Sequence, residues 1–133
     1  MINQSSVRKS IVFWKNGMAY DYKTMLSLCK SKRYSACLFF GYLVLEKALK
    51  ALVIEKTKDY APRIHNLRRL AELARITLSP DELDFLSIVN EFNMAGRYPE
   101  EKFDFYKLCN KTYADKFLPK IKKMHKRLCL LMK

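Results

Sequence analysis

The sequence predicts an all-α protein, an up-and-down bundle of four or five helices. Three observations predict it. The 133 residues include only 3 Gly and 4 Pro, too few for the tight turns of a sandwich or barrel. Apolar residues recur at steps of three and four along most of the chain, the period of a helix face. Half of the residues are apolar and 29% are charged, the balance of a globular chain and not of a disordered one. A chain this long buries roughly two-thirds of its unfolded surface, so it needs no disulfide or metal staple. No composition shift, repeat or low-complexity tract divides it, and residues 1–133 read as a single helical domain.

The first helix is predicted from the stripe Val7, Ile11, Trp14, Met18, Tyr22, Met25 and Cys29. Gly17 inside it costs about 1 kcal/mol relative to Ala. A break follows at residues 30–33. The second helix, Ser35 to about Glu55, is apolar around most of its circumference, as the central helix of a bundle is. Its uncharged run could be a strand by periodicity alone, but the continuation into EKALKAL is strongly helix-forming. Residues 56–63 read as a loop marked by Pro62, and a short helix follows from about Asn66 to Ile76 with Leu67, Leu70, Leu73 and Ala74 inward. Ser79-Pro80-Asp81-Glu82 has the residues of a capping box with proline at the first helical position. That helix runs through Phe85, Ile88, Val89 and Phe92 and is expected to stop near Ala95, with Gly96 ending it. Residues 97–99 are expected to be extended ahead of Pro99. The last helix, about Thr112 to Met132, carries the stripe Tyr113, Phe117, Ile121, Met124, Leu128 and Leu131, with Pro119 marking a kink or a restart.

The charge balance is unusual. There are 26 Lys and Arg against 13 Asp and Glu, a net of +13, which invites a polyanion. Residues 1–58 carry +8, residues 59–101 carry −3 and residues 102–133 carry +8, so a polyanion site should draw on the two ends. The longest uncharged run, Tyr34 to Leu45, has 12 residues against the ~20 needed to span a bilayer. The N-terminus lacks the apolar core of a secretory signal. Cys29, Cys37, Cys109 and Cys129 form no C-x-x-C pair, and the two histidines, His65 and His125, are 60 apart, so no metal site can be drawn. These features point to a cytoplasmic protein with free thiols, no membrane contact and no cofactor.

No glycine-rich phosphate loop and no Ser/His/Asp pattern is present. Three places could carry chemistry. Glu46 and Lys50 stand at i, i+4 on the apolar second helix, either as an ion pair at the edge of the core or as a lysine offered to a phosphate. His65 precedes a helix, where a neutral imidazole is favoured; it reads as a structural residue or a ligand contact. Arg97 either caps the end of its helix or binds a phosphate through its guanidinium fork, with Tyr98 offering a stacking face.

These residues are similar to those of the HEPN family (higher eukaryotes and prokaryotes nucleotide-binding), in particular its small stand-alone prokaryotic members. The matching pieces are Trp14 with Ala19 and Asp21, then Lys32-Arg33-Tyr34 leading to residues 37–40, then Glu46-Lys47-Ala48-Leu49-Lys50-Ala51. Residues 62–67 (PRIHNL) and 95–99 (AGRYP) complete the set, in family order. The resemblance implies a helical bundle, a homodimer, and partnership with a minimal nucleotidyltransferase in a toxin–antitoxin-like pair. Many members are metal-independent ribonucleases using an Arg-x(4–6)-His motif. Here Lys102, Phe103 and Asp104 occupy the three positions after Arg97 where that histidine would fall. Without the imidazole the usual base for 2′-hydroxyl attack is missing. The expectation is therefore a non-catalytic protein that binds nucleotide or RNA through Arg97, Tyr98, Lys50, Glu46 and His65. The alternatives are a ribonuclease using His65 or Tyr98 with Lys50, and a pure protein-interaction module.

Overall fold

A computed structural model describes residues 2–97 and 99–133, with the backbone alone for 95–97 and 99–102. The described residues form six helices and no strand: α1 (Gln4–Lys30), α2 (Tyr34–Thr57), α3 (Leu67–Leu73), α4 (Pro80–Arg97), α5 (Pro99–Leu108) and α6 (Lys111–Leu131).

Helix α2 is the axis of the bundle, and α1, α3, α4, α5 and α6 all pack on it. Its sequence demands that place. Leu38, Tyr42, Leu45 and Leu49 are fully buried, and Val44, Ala48 and Ala51 on its other sides are buried as well. Each large apolar side chain removed from water contributes roughly 1.5–3 kcal/mol, so a helix apolar all round is stable only when surrounded. Gly41 lets α1 and α6 close in together, because a Cβ there would lie 2.6 Å from Ile121 Cδ1 and 3.4 Å from Met25 Sδ. Despite its apolar length, no helix among the described residues is long and apolar enough to cross a membrane.

The caps follow local chemistry. Asn3, Asn66 and Asn110 each accept a hydrogen bond from a first-turn amide of α1, α3 and α6. Ser79 and Glu82 form the predicted reciprocal box, with the Ser79 amide donating to Glu82 Oε1 at 2.9 Å and the Glu82 amide to Ser79 Oγ at 3.1 Å. Helix α6 shows no restart at Pro119, which is exposed inside a continuous helix. The carbonyl that loses its N–H partner there can turn to water.

Three expectations are corrected. Helix α3 stops at Leu73 and not near Ile76, because Arg75 turns left-handed (φ 55°) and the Ile76 amide donates back to the Ala71 carbonyl. Helix α4 continues through Gly96 to Arg97, and Pro99 opens α5, so residues 97 and 99 are helical and not extended. A proline restricts only the residue before it, here Tyr98, which lies outside the described residues; at the first position of α5 its missing N–H costs nothing. Helix α5 is an element that no stripe in the sequence predicts. It is held by Phe105, whose ring sits 5.4 Å from Phe92 in an aromatic cluster with Tyr113 and Phe117.

Candidate functional site

Three of the predicted site residues meet on one side of α2. Glu46 is buried with its carboxylate among three groups. The Lys50 ammonium donates to Oε1 at 3.5 Å, and His65 Nδ1 lies 2.9 Å from Oε2. The Tyr42 hydroxyl reaches the same Oε2 and also the His65 carbonyl, at 2.7 Å. Above Lys50 lies the Trp14 ring of α1, with the ammonium 5.0 Å from its centroid. A charge removed from water is tolerated when it is paired and hydrogen-bonded, and here both members satisfy that condition.

The arrangement decides between the readings of Lys50. Its side chain is only 6% exposed and faces Glu46 and Trp14, so it is an internal ion pair and not a lysine offered to a phosphate. His65 is placed differently. Its side chain is 54% exposed while Glu46 behind it is 6% exposed. An ionised carboxylate only accepts, so a neutral imidazole here carries its proton on Nδ1 and leaves Nε2 able to accept from a ligand. The site can therefore hold an imidazole in one tautomer and one orientation at the surface. The side chain of Arg97, and Tyr98 altogether, lie outside the described residues.

Tyr42 and Trp14 complete the site; from sequence Trp14 stands on the stripe of the first helix and among the family-like pieces, and Tyr42 is not singled out. The signal for Tyr42 is its place one helical turn before Glu46, on the same face. Nothing in the sequence points Trp14 at Lys50, because the two lie on different helices. Next to this site, Lys47 pairs with the buried Asp21 at 2.6 Å, which ties α1 to α2 a second time.

The other titratable groups are arranged for packing. Burial pushes the thiols of Cys37 and Cys109 up to about 12, which leaves both protonated and weakly nucleophilic at neutral pH. No cluster of His, Cys, Asp or Glu among the described residues could hold a metal ion. His125 stacks on Tyr22 with centroids 4.3 Å apart, and burial holds its pKa below the usual 6.5. The unfolded chain therefore takes up a proton there that the folded chain refuses. Stability is expected to fall as pH drops through about 6.5, and His125→Gln to flatten that fall. Urea midpoints at about pH 7.5 and 5.5 check it; equal pH dependence in both proteins would contradict it.

No curated protein and no solved structure matches the chain. The HEPN domain family model matches residues 11–130, which runs from α1 through α6 and includes the whole Glu46 centre. With an all-helical fold built around that centre, the chain belongs to the HEPN domain family.

Proposed function

We propose that this HEPN protein is a homodimer that binds a nucleotide or an RNA phosphate and partners a minimal nucleotidyltransferase in a toxin–antitoxin-like pair, without cleaving RNA. The observation that supports it best is the outward imidazole of His65, fixed from behind by the buried Glu46. Lys50 and Tyr42 act as positioning residues through Glu46. In this reading Arg97 supplies the guanidinium that grips the phosphate and Tyr98 a face for a base. The lack of a histidine at residues 102–104 leaves Arg97 without the family's usual base, so binding persists where cleavage does not.

Arg97→Ala is expected to weaken nucleotide or short-RNA binding at least tenfold, the loss of one charge-assisted hydrogen bond of about 1.5–3 kcal/mol. Calorimetric titration measures this. Equal binding by wild type and variant, or none by either, sinks the reading.

One observation favours a second reading, metal-independent ribonuclease activity. A buried carboxylate holding Nδ1 and leaving Nε2 free is the arrangement of a general base. Incubation with total RNA in EDTA separates the two: cleavage lost in His65→Gln would establish this second reading and displace the first.

A further inference from the structure

The Glu46 centre leaves most of the positive charge unused. Helix α1 carries one acidic residue against five basic ones, and α6 one against seven. Both acids are already engaged, Asp21 with Lys47 at 2.6 Å and Asp115 with Lys111 at 2.7 Å. Lys15, Lys122, Lys123 and Lys126 have no ion pair among the described residues.

The fold brings the three α6 lysines among these to one place. The stacked Tyr22 and His125 join α1 to α6 and line an open groove of about 540 Å³ with Lys122, Lys123, Lys126 and Cys129. Lys15 stands two turns before Tyr22 on α1. It comes near enough to Cys129 for its ammonium to counter the rise that burial imposes on that thiol. The groove thus has unpaired ammonium groups from α6 and a ring pair that joins α6 to α1.

Those are the two features that hold a single nucleic-acid strand: cations for the phosphates and a π-face for a base. Along α6 a membrane surface fits less well. An interfacial helix needs a free apolar face beside its lysines, whereas Phe117, Ile121, Met124 and Leu128 of α6 are buried in the core. The exposed large apolar side chains of α6, Leu130 and Leu131, are confined to its last turn.

We propose that the α1/α6 groove binds single-stranded RNA, with Lys122 and Lys126 on its phosphates and the Tyr22–His125 pair against a base. The proposal rests on the protein being an RNA binder, but its residues are all distinct from the Glu46, His65 and Arg97 site.

The test is fluorescence anisotropy with a labelled single-stranded RNA of about 12 nucleotides, titrated between about 50 and 200 mM salt. Lys122→Ala/Lys126→Ala is expected to weaken binding at least tenfold at the lower salt. It should also reduce the magnitude of the log–log salt slope by about 1.4, or about 0.7 per lost contact. Lys122→Arg/Lys126→Arg should bind within about twofold of wild type, which keeps charge and not shape as the cause. Unchanged affinity and slope in the alanine pair overturn the proposal. So does lysine-dependent retention on phosphatidylcholine–phosphatidylglycerol vesicles by a protein that ignores RNA. If Arg97→Ala abolishes nucleotide binding while the alanine pair leaves RNA binding intact, the groove fails and the earlier reading stands. The reverse pattern supports the groove and removes Arg97.

Discussion

Glu46→Ala is expected to destabilise the protein by about 3–5 kcal/mol, the cost of leaving one member of a buried ion pair without its partner. The reason lies in what remains. The Lys50 ammonium would stay 6% exposed under Trp14 with its carboxylate gone. His65 Nδ1 would lose its acceptor, and the Tyr42 hydroxyl would keep only the His65 carbonyl of the two acceptors it reaches from here. That loss is a large part of the ~5–15 kcal/mol that holds a domain together. Removing both charges at once should cost far less: Glu46→Leu/Lys50→Met replaces the pair by apolar groups of similar volume, a change that is often near neutral. Urea unfolding of wild type, single and double variants gives the comparison. A single variant within about 1 kcal/mol of wild type would show that the pair is solvated in solution. The double variant should still lose the fixed orientation of His65, so stability and ligand binding are expected to separate in it.

Gly41→Leu should cost about 1–3 kcal/mol or more by overpacking, and lower the melting temperature by several degrees. The first added carbon already meets Ile121 Cδ1 at 2.6 Å, and Met25 stands on the α1 side. Gly41→Ala is the milder case, since rotation of Ile121 absorbs one methyl and alanine favours the helix by roughly 1 kcal/mol. Leucine fills space that α1 and α6 both occupy, so it must push one of them off α2. Adding Ile121→Ala to Gly41→Leu should recover part of the loss. A leucine variant as stable as wild type would mean that α6 sits further from α2 than described.

Much of the fold was legible because the helices are long and their stripes regular. Val7, Met18 and Met25 of α1, and Phe117, Ile121, Met124 and Leu128 of α6, are buried as their spacing demands. The box at Ser79 needed only four consecutive residues to be read. Helix α5 was not legible for the opposite reason. Of its apolar residues, Phe103, Tyr106 and Leu108 are exposed and Phe105 alone among them is buried, so no stripe exists to find. The end of α3 depends on a left-handed Arg75, a conformation that glycine or asparagine would have announced and arginine does not.

The site divides the same way. The Glu46–Lys50 pair was visible because both partners lie on one helix, one turn apart. Its burial, and with it the choice between ion pair and phosphate contact, came from Trp14 on a different helix. The link from Glu46 to His65 spans 19 residues and a loop, a distance over which periodicity carries no information.

The sequence by itself therefore determined the helical class, the central place of α2, the caps and the total charge, because each depends on composition or on neighbours within a turn. Tertiary structure alone decided that Lys50 points inward while His65 points outward, and that Lys122, Lys123 and Lys126 of α6 share one groove with Tyr22 of α1. Those outcomes depend on which faces of separate helices meet. Trp14 over Lys50 marks one such meeting and the Tyr22–His125 stack the other, and no local period encodes either.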